Sequence, residues 1–194
     1  MKKTELLKDG TKVSVKDLTL GDLDRLMDFY QALSEKDRRY LRVDVTNREI
    51  VAQRIKQIKA GKFKRLIAIQ ENKVIADGTL ELADEEWRRD QGELRIIVSK
   101  PFQHNGLGTI MLRELYFIAA NENVKKVVVK FMRSQHAAKN ICLKLGFQEQ
   151  VIIPDYVRDI KGKTQDMVIM TSDMKHFWKE LEHLYGDSDW QRHR

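Results

Sequence analysis

Between Val98 and Thr109 the chain reads Val-Ser-Lys-Pro-Phe-Gln-His-Asn-Gly-Leu-Gly-Thr. The apolar run Ile96-Ile97-Val98 ends there, and a short polar loop carries Gly106 and Gly108. From Leu107 onward Ile110, Met111, Leu115 and Ile118 fall at helical spacing. A strand, a glycine loop and a helix start therefore follow one another directly. Glycine lets a ligand approach the backbone with no Cβ in the way. The first N–H groups of a helix have no partner inside it and carry the positive end of its dipole. Together they predict a phosphate cradle that needs no charged side chain, built from Gln103, His104, Asn105, Gly106, Leu107, Gly108 and Thr109. A dinucleotide fingerprint would need a third glycine at position 111, which is Met111, and the Gly-Lys-Ser/Thr of a P-loop is absent.

The elements that must hold this cradle are legible on both sides of it. Val13 and Val15 alternate with polar residues as a first strand. Leu23, Leu26, Met27, Tyr30 and Leu33 predict a helix starting near Asp22, and Val51, Ile55 and Ile58 predict another between Asn47 and Gly61. Arg65 to Gln70 and Val74 to Leu82 read as a hairpin across Glu71-Asn72-Lys73. Ala83 to Gln91 is a polar loop with acids at Asp84, Glu85 and Glu86, and Glu93 to Ser99 is a strand. After the cradle helix come a strand over Val124–Phe131 and a helix through Ala138, Ile141, Cys142 and Leu145, which stops at Gly146. Two late strands, Phe147–Ile153 and Met167–Thr171, are joined across Asp159 to Lys163. Met174 to Tyr185 reads as a tail helix and Gly186 to Arg194 as a frayed end. Strand–helix–strand passages call for parallel pairing and hairpins for antiparallel pairing. The expected fold is α/β, a mixed sheet with helices on both faces, with a domain over 11–173 and a helical tail over 174–194.

Composition narrows the function classes. The chain has 36 Lys+Arg against 29 Asp+Glu, a net charge of +7. Basic residues are interleaved with acids, so a solvated surface is the expectation and a nucleic-acid partner is not. No aromatic–basic interleaving supports single-strand binding. No apolar run approaches a membrane span, and the basic start lacks the apolar region of a signal peptide. The lone Cys142 excludes an internal disulfide and a cysteine zinc cluster and suits a reducing compartment, with the cytoplasm expected. The five histidines show no metal-ligand spacing, so no metal is expected.

Gln103-His104-Asn105-Gly106-Leu107-Gly108 fits the pattern Q/R-x-x-G-x-G/A, which resembles the pyrophosphate signature of the GNAT family of acetyl-CoA-dependent N-acetyltransferases. Gln135 to Phe147 resembles that family's later helix, N-x-x-A-x-x-x-Y-x-K-x-G-F, with Ala138, Lys144, Gly146 and Phe147 in register. Glu93-Leu94 precedes the cradle at the family's customary distance, and the element order agrees from about Val13 to about Thr171.

The resemblance implies direct acetyl transfer from acetyl-CoA to a primary amine of a small metabolite, a peptide or a protein lysine. The alternative is a catalytically weak GNAT-fold module that binds CoA as a sensor. Acetyl-CoA contacts are implied at Ile96, Ile97 and Val98, at the cradle, and at Gln135, Ala138 and Lys139, with backbone N–H groups around Ile97 and Val98 polarising the thioester carbonyl. Lys130 and Arg133 are further candidates for CoA phosphates. Glu93 is the implied base, with Glu81 behind it, and Asp84 to Glu86 either draw in a cationic amine or form a solvated loop. Cys142 stands where the family's tyrosine protonates the departing thiolate. It either donates that proton or packs as a small apolar residue, leaving Tyr156 or water as the source. Acceptor choice is implied for Asp22 to Ala60 and Phe147 to Thr171. A homodimer through a sheet edge or the tail is compatible with the sequence. The tail aromatics Phe177, Trp178 and Tyr185 suit docking on the domain's own core, a dimer contact or a lid.

Overall fold

A computed structural model describes residues 2–186, apart from the side chains of Lys36, Lys59 and Tyr185. The expected fraying end from 187 and the packing of Tyr185 lie outside the described residues. One mixed sheet runs through the molecule. Its strands are β1 (Lys2–Leu6), β2 (Lys12–Asp17), β3 (Phe63–Gln70), β4 (Lys73–Leu82), β5 (Gln91–Val98), β6 (Lys126–Met132), β7 (Gln148–Arg158) and β8 (Thr164–Asp173). They lie in the order β1-β2-β3-β4-β5-β6-β8-β7. The helices are α1 (Leu23–Ala32), α2 (Glu35–Arg38), α3 (Arg48–Lys56), α4 (Leu107–Asn121), α5 (His136–Lys144) and α6 (Met174–Gly186).

The period-2 alternation of the strands divides the apolar residues between two cores. Leu66, Leu80 and Leu94 point to one face, where Ile110, Met111 and Leu115 of α4 and Phe177 and Leu181 of α6 cover them. Ile67 and Val74 point to the other, under Leu26 and Tyr30 of α1 and Val51 and Ile55 of α3. The helix ends follow their sequence signals. The Asn47 side chain accepts from the backbone N–H groups of Glu49 and Ile50 at 3.0 and 3.2 Å, capping α3. A short 3-10 turn carries that helix on to Gly61.

The structure adds two elements to the sequence reading. Strand β1, Lys-Lys-Thr-Glu-Leu, shows no apolar alternation because it is an exposed edge, paired with β2. Ion pairs from Lys3 to Glu114 at 2.6 Å and from Arg113 to Glu5 at 2.5 Å bind it to α4. Helix α2 is only four residues long, too short to leave a periodic pattern. The tail helix differs from an appendage in its packing. Phe177 and Leu181 are fully buried in the α4-side core, and Trp178 stacks on Tyr116 at 4.7 Å.

Candidate active site

Strands β5 and β6 form the sheet's parallel pair, and they pair over only Gln91↔Lys126, Gly92↔Val127 and Glu93↔Val128. Beyond Glu93 they diverge, β5 staying with β4 and β6 with β8. Hydrogen bonds fix which edge of β5 faces the fork. Ser99 N–H donates to the Ile75 carbonyl of the β4 side, whereas the Asp90 carbonyl accepts from Lys126 on the β6 side. Amides alternate between the two edges of a strand. Those of Leu94, Ile96 and Val98 therefore face the fork, and that of Ile97 faces β4. This corrects the expectation that the Ile97 N–H points at the ligand. The Val98 carbonyl accepts from Gln103 Nε2 at 2.9 Å, which ties the end of β5 to the loop that follows.

A cleft of about 830 Å³ passes through the fork. On the α4 side it ends on the start of α4. Gly106 is the N-cap, at φ +84°, a conformation open mainly to glycine. Gly108 has ordinary backbone, and a Cβ there would meet nothing closer than Val98 at 3.9 Å. The fold does not require glycine at 108, so the missing side chain serves whatever approaches the helix start. Ile110 N–H makes the helix's bond to Gly106 O at 3.0 Å, which leaves the amides of Leu107, Gly108 and Thr109 ahead of it. The loop is braced from behind: Asn105 Nδ2 donates to Asp9 at 2.6 Å, and the Lys8 N–H donates to Asn105 O at 3.2 Å.

Of the residues implied to contact the cofactor, Ile96, Ile97, Val98, Gln103, His104, Gly106, Gly108, Thr109, Gln135 and Ala138 line the cleft. Three do not. Asn105 is turned to Asp9, the Leu107 side chain is fully buried in the core, and Lys139 pairs with Glu149 at 2.6 Å. Lys144, five residues further along α5, lines the cleft instead. Arg133 pairs with Asp166 at 3.2 Å and Lys130 with Glu93 at 3.0 Å, so neither points at the cradle. Asp84, Glu85 and Glu86 pair locally with Lys62, Arg88 and Arg89.

Glu93 sits at the branching point of the fork with 11 % of its side chain exposed; it lies outside the cleft lining, which Arg42 and Lys130, the two residues that bind it, do reach. Burial alone would raise its carboxyl, but the charges of Arg42 and Lys130 outweigh burial and hold it below the usual carboxylate range. Glu81 pairs with Arg95 at 2.9 Å. Cys142 is 8 % exposed, packed against the core on α5 and also lining the cleft, and burial pushes its thiol up to about 12. Tyr156 is 62 % exposed and lies outside the cleft lining.

Sequence reasoning missed a second feature, on the α1/α3 face of the fork. Arg65, Thr79 and Arg95 are cross-strand neighbours there, beside Asp77. The Arg65 guanidinium donates to Asp77 Oδ2 at 2.7 Å and to the Tyr30 hydroxyl at 2.9 Å, and that hydroxyl donates to the same Asp77 oxygen at 2.7 Å. Asp77 and Tyr30 are buried. Burial and the Asp77 charge raise Tyr30, and the pull of Asp77 raises Arg65 against its desolvation. The legible signal was the alternation itself: Arg65, Asp77, Thr79 and Arg95 occupy strand positions that a helical layer should cover with apolar groups.

Among the described residues no group of His, Cys, Asp and Glu could hold a metal ion, and no helix is long and apolar enough to cross a membrane. No curated protein matches the chain in sequence. Solved structures do match in fold. The acetyltransferase of the GNAT family from Streptococcus pneumoniae is 19 % identical, with TM-score 0.70 over 83 % of this chain and 99 % of that one. The GNAT domain of S. lividans PAT is 16 % identical, with TM-score 0.73 over 89 % and 96 %. Ribosomal-protein-alanine N-acetyltransferase from Brucella melitensis is 20 % identical, with TM-score 0.70 over 82 % and 98 %. The family profile for the acetyltransferase (GNAT) family matches residues 24–147. That span runs from α1 through the fork and the cradle to the end of α5, and the chain belongs to the GNAT family of acetyltransferases.

Proposed function

We propose that the protein transfers the acetyl group of acetyl-CoA directly to a primary amine. The observation that carries this reading is the fork: an unpaired β5 edge that leads straight to the glycine-lined start of α4. The pyrophosphate of CoA takes the amides of Leu107, Gly108 and Thr109, where oriented N–H groups and the helix dipole favour an anion. The pantetheine amides then lie along β5 as an added strand would, donating to and accepting from the backbone of Ile96 and Leu94. The amides of Ile96 and Val98 are the donors available to the thioester carbonyl as it gains negative charge. One such donor is typically worth about 10²–10³ in rate. Gln135, Ala138 and Lys144 bound the α5 side.

The acceptor enters from the α1/α3 face and meets Glu93. Its amine attacks the thioester carbon only when neutral, so a proton must leave first. Glu93, kept ionised by Arg42 and Lys130, takes that proton through water. Its low proton affinity suits relay to solvent rather than retention. The departing thiolate needs no strong acid. A thiolate whose conjugate acid titrates near about 8.5 leaves as the anion and equilibrates with solvent afterwards, so no positioned acid is required and Cys142, whose thiol burial pushes up to about 12, packs. We place the protein in a reducing compartment, where a buried free cysteine persists.

The test is amine-dependent release of CoA from acetyl-CoA by the full chain, read across a panel of primary amines. Release with one or more amines supports transfer. The second reading, a CoA-binding sensor, rests on Cys142 standing in place of a tyrosine. Tight acetyl-CoA binding with no amine-dependent release would favour it and remove the transfer step.

A further inference from the structure

The α1/α3 mouth of the cleft is cationic, and its charges are not all matched. Arg42 is held by Glu93, Arg95 by Glu81 at 2.9 Å, Arg65 by Asp77 at 2.7 Å, and Lys130 shares Glu93 at 3.0 Å. Arg54, on α3, lines the same mouth with no carboxylate partner among the described residues. Its positive charge reaches Arg95. Burial first, and then the charges of Arg42 and Arg54, lower the Arg95 guanidinium, with Glu81 and Glu93 opposing them. Gathering like charges in a partly desolvated cleft is unfavourable unless an anion offsets them. One buried donor, Arg65 Nε, also lacks a hydrogen-bond partner among the described residues; Asp77 Oδ1 lacks one too, but as an acceptor it calls for a donor and not for an anion. Such atoms are uncommon in folded proteins and call for an explanation.

This mouth is separate from the cradle. Arg65, Thr79 and Arg95 alternate with Leu66, Leu80 and Leu94, which face α4. The cations therefore lie on the sheet face opposite the helix start proposed for the pyrophosphate, and CoA phosphates do not account for them.

We propose that this mouth is an anion subsite for the acceptor, so that the amine acetylated belongs to a small molecule carrying a carboxylate or phosphate, held by Arg54 with Arg95 and Thr79. The inference rests on the acetyltransferase reading and specifies its acceptor. Glu93 and Arg95 are two residues apart on one strand. That sets the amine and the anion about 7 Å apart along β5, at roughly 3.4 Å per residue. Arg54 suits the task because a guanidinium presents paired N–H donors to either oxyanion. Asp77 and the Tyr30 hydroxyl fix Arg65 at the floor of the mouth.

The experiment compares kcat/KM within matched pairs that differ only in the anion: 4-aminobutanoate against its amide, and phosphoethanolamine against ethanolamine. A neutral alanyl peptide amide is the third arm. Wild type, Arg54→Gln and Arg54→Lys are measured beside calorimetric titration of acetyl-CoA into each. The anionic member of at least one pair is expected to be favoured tenfold or more, and which pair shows this separates carboxylate from phosphate. Arg54→Gln closes the gap through KM, Arg54→Lys keeps part of it, and acetyl-CoA affinity stays the same in all three. The ratio within a pair is insensitive to a general loss of folded protein. Equal or better use of the neutral amines or the peptide, or an unchanged ratio in Arg54→Gln, would each overturn the subsite. Failure of wild type to bind acetyl-CoA, or binding with no amine-dependent release of CoA from any amine tried, is a different result, and it removes the acetyltransferase reading itself.

Discussion

At the scale of single residues the site depends on how charge is held. Glu93 keeps its negative charge because Arg42 and Lys130 stand against it. Replacing it by Gln should lower kcat by about 10²–10⁴, the usual reach of a positioned base, with acetyl-CoA affinity little changed. The pH dependence follows from the sign of the shift. A carboxyl depressed below its usual value of about 4.3 is ionised at every pH above that value, so Glu93 sets no limb near neutrality. The plot of kcat/KM should rise with pH as the acceptor amine loses its proton, and a bend tracking position 93 between pH 5 and 7 would contradict this. The stabilisation from this ion cluster is complete above the unfolded carboxyl's pKa and fades as pH falls through the lower folded value. Cys142→Ala should leave kcat within about threefold, or ~0.7 kcal/mol. It should cost about 1 kcal/mol in denaturant unfolding. A large rate loss in folded Cys142→Ala would return the cysteine to the chemistry. The chemical type of Glu93 and Cys142 was legible in the sequence. Their partners were not, because Arg42 is 51 positions from Glu93 and comes to it only through the fold.

At the scale of elements, two glycines of the recognised motifs do different work. Gly146 ends α5 at φ +73°, and a Cβ there would stand 2.5 Å from His176 Nε2 on α6. Gly146→Ala combines left-handed strain with that clash and should cost about 1–3 kcal/mol in a thermal or chemical melt. An unchanged melting point would show that α6 does not press on this turn. Gly108, with ordinary backbone and 3.9 Å of clearance, should accept Ala with little change in stability. Elements with a strong period announced themselves: α1, α4 and the β3–β4 hairpin lie where their apolar spacing put them. β1 did not, because an edge strand held by Lys3 and Glu5 ion pairs needs no apolar face. The outward-facing edge of β5 was equally hidden. Amide direction follows from pairing register, and register depends on partners distant in sequence.

At the scale of the whole molecule, the sheet is continuous except at the β5–β6 fork, and the α4/α6 and α1/α3 layers cover its two faces. Helix α6 belongs to the α4-side layer rather than to a separate tail. Phe177→Ala should therefore cost about 3–5 kcal/mol, as for a buried aromatic in a core. Unfolding should remain one cooperative transition. A separate early transition for α6, or a loss below 1 kcal/mol, would make the helix an appendage. The overall architecture was readable because strand–helix alternation and two motifs in register constrain it strongly. The arginine-lined mouth was not, since Arg42, Arg54, Arg65 and Arg95 are scattered along the chain and look like ordinary solvated charge until the sheet assembles them.

In the proposed mode of binding, acetyl-CoA occupies the fork with its pyrophosphate on the start of α4. Calorimetric titration of acetyl-CoA into wild type and into Gly108→Glu tests it most directly, because position 108 has room for a side chain without strain in the fold. Wild type is expected to bind one-to-one, and the variant at least a hundredfold more weakly, by ~2.7 kcal/mol, at an unchanged melting temperature. No binding by folded wild type, or equal binding by both, would contradict it.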